Sequence, residues 1–274
     1  MTGDMSVDEV SALDLAFVVD TTGSMTGLIA SARQRMIAMI EALLRADEVS
    51  LRLGIVEYRD HPPQDPLPFR AYDFTADLDA ARATLNGLKA EGGGDGPESV
   101  LDGVLAAVRE LAWRPHARRL AVLVGDSPPH GVGARGDGFP QGCPCGETIA
   151  SVTAAAEEAR VTFYALGLTN GVESSFGALS NLTGGEFFAI WHGGSAGQDA
   201  IESLQAILVE EFGNLAFDRT VLAARRERPD ESLDELATRL ASNRPAVSSA
   251  VSRLGARGLL YSGSPSPVGE GAGG

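Results

Sequence analysis

Residues 13–25 read LDLAFVVDTTGSM, and this stretch decides the fold. Its first eight residues form a short, mostly apolar run rich in Val and Phe that ends on Asp20, which predicts a buried strand. Apolar residues at helical spacing follow between Thr26 and Ala46. A buried strand that leads directly into a helix is typical of α/β folds with a parallel sheet.

The same alternation of strands and helices continues along the chain. Further strands are predicted at Leu51–Tyr58, Tyr72–Thr75, Arg119–Gly125, Val161–Leu168 and Glu186–Trp191. Further helices are predicted at Asp77–Ala90, Glu98–Leu111, Glu147–Arg160, Ser174–Leu182 and Gln198–Gly213. The pattern therefore predicts a six-stranded, mainly parallel sheet with helices on both faces.

The charge of the chain is negative and unevenly distributed. The net charge is −15 over 274 residues, with −16 in residues 1–214 and +1 in residues 215–274. The acidic part should repel phosphate backbones and attract cations. The chain contains no apolar stretch near the ~20 residues of a membrane helix, and Met1–Val10 lacks a basic-then-apolar signal pattern. We therefore expect a cytoplasmic protein without a membrane partner.

Oxygen ligands stand in three loops at predicted element ends. The first strand runs into Asp20-Thr21-Thr22-Gly23-Ser24, the fourth ends at Gly125-Asp126, and Gly92–Glu98 enters a helix between them. Ligands of open α/β sheets bind at the carboxyl ends of strands, near the topological switch point. Any one of these motifs alone is also a common helix cap. Their joint placement favours a cation site.

The residue types at these positions suit a hard divalent cation. Mg²⁺ or Mn²⁺ prefers six oxygens from a few carboxylates, hydroxyls and waters. Because Asp20, Thr22 and Ser24 alternate along the chain, a turned loop can direct all three at one point. With Asp95 and Asp126 from the other two loops, they form the predicted site for Mg²⁺ or Mn²⁺.

The run Asp-x-Thr-x-Ser at residues 20–24 resembles the metal-ion-dependent adhesion site (MIDAS) of the von Willebrand factor type A domain, usually Asp-x-Ser-x-Ser. The resemblance extends over about residues 13–214 and implies a Rossmann-like, doubly wound sheet. It implies Thr22 and Ser24 as direct hydroxyl ligands, and Asp20 and Asp126 as direct or water-mediated ones. The third loop of the family usually offers a Thr, and Asp95 occupies the matching stretch here.

The resemblance also implies a function. The three motifs together resemble an intracellular branch of the family that includes the domain attached to some alpha-kinases. In the family, an open position of the metal accepts an Asp or Glu carboxylate from a partner protein. The expected function is thus metal-dependent protein recognition as an adaptor, and a MoxR-type AAA+ ATPase is the partner that family resemblance suggests.

An enzymatic function is the alternative for the same site. Asp20, Asp95 and Asp126 could activate water for hydrolysis through one metal ion. No Ser or Cys stands beside a His in a pattern typical of nucleophilic catalysis, and no general base is evident. We therefore expect no catalytic residues.

The last part of the chain carries a second signal. Leu233–Leu240 and Pro245–Leu254 have helical spacing and are followed by the strand-like Leu259–Tyr261, which resembles a winged helix-turn-helix over residues 215–262. Its second helix would be the recognition helix. The residues predicted to contact DNA or a protein partner are Arg244, Ser248, Ser249, Ser252 and Arg253. A transcriptional regulator is therefore another alternative, and a plain helical hairpin docked on the main domain is the simplest one.

The predicted domain organisation follows from these segments. Residues 1–12 form an N-terminal tail, residues 13–214 the α/β domain, residues 215–262 the small helical domain, and residues 263–274 a Gly/Ser/Pro-rich disordered tail.

A long loop, Asp126–Gly146, contains the only two cysteines of the chain, Cys143 and Cys145. A loop of this length in a compact domain is usually functional or mobile. The spacing Cys-x-Cys differs from the usual Cys-x-x-Cys of zinc sites. We interpret the pair as reduced thiols, with a soft-metal site that includes His130 as the alternative, and His130 itself as a plain loop residue near Asp126.

Overall fold

The computed structural model describes residues 10–44, 49–191 and 194–260. Its strands are β1 (Ala12–Asp20), β2 (Ser50–Tyr58), β3 (Phe69–Thr75), β4 (Arg118–Gly125), β5 (Val161–Gly167) and β6 (Phe187–Ala189). Its helices are α1 (Ile29–Leu44), α2 (Leu78–Gly87), α3 (Val100–Arg109), α4 (Ile149–Glu158), α5 (Glu173–Leu182), α6 (Gly194–Glu227), α7 (Leu233–Arg239) and α8 (Arg244–Ala256). The predicted tail 263–274 and most of the predicted tail 1–12 lie outside the described residues.

The six strands form one sheet in the order β3-β2-β1-β4-β5-β6. All neighbouring pairs are parallel except β2 with β3, which is antiparallel. The prediction of a mainly parallel six-stranded α/β sheet is confirmed. The chain runs outward from β1 and returns to place β4 on the other side of β1. The switch point therefore lies between the carboxyl ends of β1 and β4.

Strand β1 is buried along its whole length and separates two apolar layers. Leu13, Leu15, Phe17 and Val19 pack in the layer that contains α1, α2 and α6. Ala16 and Val18 belong to the opposite layer, with α3, α4 and α5. This alternation is the period of two that a strand imposes on its side chains. It explains why β1 is apolar on both faces.

A buried carboxylate closes the amino-terminal end of the sheet. Asp14 in β1 is fully buried and accepts hydrogen bonds from Arg52 and Arg114 at 2.8–2.9 Å. Burial by itself would raise the pKa of Asp14, but these hydrogen bonds hold it below its ordinary value. The charged form is therefore the stable one in the folded chain, and it ties β1 to β2 and to the segment after α3.

We expect Asp14→Ala to lower the free energy of unfolding by about 3 kcal/mol, because two arginines lose a buried partner. Since the folded pKa of Asp14 is lowered, its contribution is present above the unfolded pKa of about 3.9 and is lost as pH falls below it. Urea unfolding at pH 7 measures the effect. Glu157→Ala, an exposed change on α4, is the matched control, and equal stability of both variants would contradict the role of Asp14.

Helix α6 is longer than predicted. It covers 34 residues and runs without a break through the predicted domain boundary at residues 214 and 215. Its second half packs against α7 and α8 through a separate apolar cluster. The small unit is thus joined by a continuous helix to the part of α6 that packs beside the sheet. The division into two domains stays a prediction.

The end of α8 differs from the predicted wing. Gly258 has a φ of +71°, and the Leu259 amide donates to the carbonyl of Leu254 at 2.9 Å. This pattern is a Schellman cap, which reverses the chain and buries the next apolar residue. Leu259 accordingly fills the small core instead of starting a strand. Tyr261, the last residue of the predicted strand, lies outside the described residues.

No helix within residues 10–44, 49–191 and 194–260 combines the length and the apolar character needed to cross a membrane.

Candidate metal centre at the switch point

Four predicted ligands meet at the carboxyl ends of β1 and β4. The Thr22 hydroxyl donates to Asp20 Oδ1 at 2.6 Å and lies 3.1 Å from Ser24 Oγ. The Ser24 hydroxyl donates to Asp126 Oδ1 at 3.0 Å. The four side chains thus form one connected row of oxygens. The alternation of residues 20, 22 and 24 produces it, because a short 3-10 turn at Gly23–Gly27 follows the strand.

The spacing of these oxygens fits a hard divalent cation. Neighbouring ligands of octahedral Mg²⁺, at 2.0–2.1 Å from the ion, lie about 3 Å apart, and the row has separations of 2.6, 3.1 and 3.0 Å. Asp20 Oδ2 is buried and has no hydrogen-bond partner among the described residues. Asp20 and Thr22 are buried, whereas Ser24 is exposed. The row therefore forms a half-open cup whose outer side faces solvent.

The electrostatics of the cup also favour a cation. Burial and the neighbouring charge of Asp126 raise the pKa of Asp20 to about 7. Burial and the charges of Asp20 and Asp60 raise the pKa of Glu98 to about 10. The buried hydroxyl of Tyr58 has no hydrogen-bond partner among the described residues, and its pKa lies well above the ordinary value. Asp20, Asp126 and Glu98 thus share a site in which negative charge is unfavourable without a counter-ion.

The third loop contributes differently from the prediction. The Gly23 amide donates to the carbonyl of Gly92 at 3.0 Å, which fixes the glycine run against the first loop. A Cβ at Gly93, whose φ is +75°, would lie 3.1 Å from Glu98 Oε1 and 3.3 Å from Thr22 Cβ. Only a glycine leaves room there for the Glu98 carboxyl to lie against Thr22. Glu98 is the acid that this loop brings to the cup.

Asp95, the predicted ligand from this loop, belongs to a neighbouring cluster. Its Oδ2 accepts a hydrogen bond from the Gly138 amide at 2.6 Å, and its carboxylate lies within 4.8 Å of ligand atoms of Asp60 and His130. The reason is local: the backbone after the glycine run turns towards residues 136–138. Glu98 is not among the predicted ligands, because the sequence pattern places it at the start of the predicted helix Glu98–Leu111, whereas the helix begins at Val100.

His130 is a buried residue held between two carboxylates rather than a plain loop residue. Its Nε2 lies 2.9 Å from Asp60 Oδ1, and its Nδ1 lies 2.9 Å from Asp137 Oδ1. Burial alone would lower the pKa of His130, but the two carboxylates outweigh burial and raise it. The protonated form, in which both ring nitrogens donate, is thereby favoured. His130 therefore fixes the long loop to the end of β2.

His130→Gln should destabilise the chain by about 3 kcal/mol at acidic pH, because it removes a buried cation from two carboxylates. A raised folded pKa makes this stabilisation complete below about pH 6.5, and it is lost as pH rises through the folded value. Urea unfolding between pH 5 and pH 9, in a chelator-containing buffer, should show the difference from the unaltered chain shrinking with pH. A difference that stays constant would contradict the ionised pair.

The cysteines lie near His61, not His130. Cys143 Sγ is 3.2 Å from His61 Nε2 and 2.8 Å from Cys145 Sγ. The alternative of a soft-metal site that includes His130 is therefore wrong. The interpretation of a plain thiol pair is too simple, because both thiols belong to a cluster with His61 and Asp102.

The predicted contact residues of α8 do not form one exposed basic face. Arg253 binds Asp218 of α6 with contacts of 2.6–3.2 Å, so it is used inside the molecule. Arg244 is exposed and pairs with Asp234 at 3.3 Å. Ser249 and Ser252 are exposed, and Ser248 is partly buried. Helices α7 and α8 pack together in one small core, but the surface charge of α8 is poorly suited to phosphate contacts. The contact role of these residues stays a prediction.

Comparison with known proteins agrees with this geometry. The family model of the von Willebrand factor A domain matches residues 14–114. An alpha-protein kinase, vwkA, from Dictyostelium discoideum is 30% identical over 139 residues, which cover 49% of this chain and 22% of the relative. A putative ariadne-like RING finger protein from Acanthamoeba polyphaga mimivirus is 30% identical over 133 residues, which cover 48% of this chain and 13% of the relative. This chain thus spans less than a quarter of either relative.

Solved structures show the same fold at low sequence identity. Proximal thread matrix protein 1 from the mussel byssus, with a zinc-occupied MIDAS motif, has a TM-score of 0.53 and 14% identity over 74% of this chain and 46% of its own. The pilus adhesin SpaC from Lactobacillus rhamnosus GG, in an open conformation, has a TM-score of 0.51 and 15% identity over 74% of this chain and 30% of its own. Together, the family model and these structures support a von Willebrand factor A domain in this chain.

Asp20→Asn should stabilise the metal-free chain at pH 7–8 by on the order of 1–3 kcal/mol. The folded pKa of Asp20, about 7, exceeds the unfolded value near 3.9, so ionisation costs folding free energy as pH rises from 4 to above 7. The amide keeps the bonds from Thr22 without the charge. Thermal unfolding in chelator measures the effect. A destabilised variant would contradict the repulsion between Asp20 and Asp126.

Proposed function

We propose that the chain is a metal-dependent protein-interaction module that binds a divalent cation, Mg²⁺ or Mn²⁺, through Asp20, Thr22, Ser24 and Asp126. The observation that carries the proposal is the connected row of oxygens from Asp20 to Asp126, with separations of 2.6–3.1 Å. A bound cation would supply an open coordination position for a carboxylate oxygen. The four side chains would hold the cation in place and determine the net charge of the site.

Each residue has a distinct part in this proposal. Asp20 lies at the buried bottom of the cup and supplies negative charge, which its neighbour Asp126 makes unfavourable without a cation. Thr22 and Ser24 supply neutral oxygens, which leave the ion more electrophilic than a set of carboxylates would. Glu98 lies against Thr22 as an uncharged acid, since its pKa is about 10. A site with only two charged carboxylates attracts an additional acidic ligand from outside.

The proposed ligand is an Asp or Glu side chain of a partner protein. Ser24 is exposed at the rim, so an acidic side chain can reach the ion position without rearrangement of the cup. The family resemblance suggests a MoxR-type AAA+ ATPase as the partner. The proposed place of this interaction is the cytoplasm.

The two alternatives find less support. Hydrolysis would need a general base at the cup, and His130 is held between Asp60 and Asp137. DNA binding would need basic side chains on α8, and Arg253 is paired with Asp218. Both alternatives stay predictions without an observation in their favour.

The metal part of the proposal is testable without a partner. Mg²⁺ at about a hundredfold excess over its Kd should stabilise the chain by about 3 kcal/mol. Because the ion replaces a proton on Asp20, the effect should weaken as pH falls below about 7. Calorimetric titration at pH 6 and pH 8 measures both. Ser24→Ala should lower the affinity at least tenfold, while Ser203→Ala, an exposed serine of α6, should not.

The partner part needs a capture experiment. A protein retained from cell extract by the full chain in Mg²⁺ should be lost in chelator and with Ser24→Ala, but kept with Ser203→Ala. Substitution of one acidic residue in that protein by its amide should also release it. Retention in chelator, or equal retention by Ser24→Ala, would overturn the proposal.

A further inference from the structure

Beside the cup, four side chains with metal-binding atoms converge from three segments. His61 follows β2, Asp102 stands in the first turn of α3, and Cys143 and Cys145 lie in the long loop before α4. His61 Nε2, a carboxylate oxygen of Asp102 and the two sulfurs all lie within 4.8 Å of one another. We propose that these four residues form a structural Zn²⁺ site, separate from the cation site at Asp20.

The donor set and its spacing suit zinc. Two thiolates, one imidazole and one carboxylate give the four ligands of a closed tetrahedral site. His61 Nε2 is 3.0 Å from Asp102 Oδ2 and 3.2 Å from Cys143 Sγ, and Cys143 Sγ is 3.2 Å from Asp102 Oδ2. Adjacent ligands of tetrahedral Zn²⁺ are about 3.3–3.8 Å apart. These three contacts need to widen by only a few tenths of an ångström.

The two sulfurs require a larger change, and the loop can provide it. They are 2.8 Å apart, so zinc would separate them by about 1 Å. Cys145 is only partly buried and lies between Gly142 and Gly146, which have φ values of +133° and +77°. A side chain in such a turn can move outward without displacing the core. The same exposure provides a route of entry for the ion.

Burial makes a central cation favourable. His61, Asp102 and Cys143 are each at most 9% exposed. A carboxylate buried beside a thiol repels the thiolate, and this repulsion disappears when a divalent ion binds both. The hydrogen bond between the sulfurs raises the pKa of Cys143 and lowers that of Cys145. Cys145 therefore loses its proton more readily than Cys143. Zinc binding releases these protons.

A catalytic triad does not fit the same residues. In such a triad the imidazole contacts the acid through one ring nitrogen and the nucleophile through the other. Here a single atom, His61 Nε2, faces both Asp102 and Cys143. A metal ion shared by the three side chains requires this arrangement, in which the Asp102 and Cys143 ligand atoms lie on the same side as the lone pair of His61 Nε2. The burial of Cys143 further separates it from any substrate.

The consequence of the site is a fastened loop. Zinc would join the segment around Cys143 to the end of β2 and to α3, and the same loop contains His130 and begins at Asp126. The ion would thus stabilise the surroundings of the cup without touching it. This proposal does not depend on the proposed protein-interaction function.

The test uses the full chain, reduced and stripped of metal, with Co²⁺ as a spectroscopic substitute for Zn²⁺. One equivalent of Co²⁺ should produce a thiolate-to-cobalt charge-transfer band and the strong visible absorption of tetrahedral cobalt, both lost on addition of Zn²⁺. Because Cys143 and Cys145 are the only cysteines, a thiolate band can come from this site alone. Ser24→Ala should keep the band, which separates this site from the one at Asp20.

Variants complete the test. Cys143→Ser with Cys145→Ser should abolish the band and lower the zinc affinity more than about 100-fold, since loss of an outer partner of a ligand already costs 10–100-fold. Cys145→Ser alone replaces a partly exposed thiol and should remain folded, which cooperative unfolding followed by circular dichroism checks. Absence of the band in the reduced unaltered chain, unchanged zinc affinity in Cys145→Ser, or zinc loss only in Ser24→Ala would overturn the proposal. A Cys143–Cys145 disulfide that resists reduction and excludes zinc would also overturn it.

Discussion

The structure depends on two aspartates held close together at the ends of adjacent buried strands. Asp20 closes β1 and Asp126 follows β4, and the parallel register of the two strands puts their carboxylates side by side. Burial removes the water that would otherwise screen them, so the pKa of Asp20 rises to about 7. The folded chain therefore bears an electrostatic cost that a divalent cation would remove. Binding of the proposed cation would then be linked to fold stability through this one contact.

The surroundings of this contact are built from polar clusters that continue into one another. Glu98 lies between Asp20 and Asp60, and Asp60 in turn contacts His130. His61, the residue after Asp60, faces Asp102 and the two cysteines. Each cluster joins the long loop after β4 to a different part of the sheet edge. Ordering a loop of this length costs conformational entropy. These buried polar contacts offset that cost.

The opposite end of the molecule is organised by charge pairs of a different kind. Asp14 is neutralised by two arginines at the foot of β1. Arg118 pairs with Glu211 of α6. Asp218, further along the same helix, pairs with Arg253 of α8. These pairs bring α8 against the amino-terminal edge of the sheet, far from the cup. The acids at the amino-terminal edge are paired with arginines, whereas the buried Asp20 at the carboxyl edge lies beside another acid, Asp126. This asymmetry supports the proposed cation site at the carboxyl edge.

Local pattern in the sequence was sufficient to predict the sheet and its order of elements, and also that four of the five candidate ligands lie close together. Apolar runs such as residues 13–19 specify strands because they can be buried on both faces, and Asp20, Thr22, Ser24 and Asp126 lie at the ends of such strands. What local pattern could not determine is which distant side chains meet. Glu98, and not Asp95, lies beside Thr22 because the chain turns at the glycine run 92–94. His61 met Cys143 across 82 residues, and α6 continued past residue 214 because α7 and α8 cover its apolar side. These outcomes depend on contacts between segments far apart in the chain, and only the folded molecule creates them.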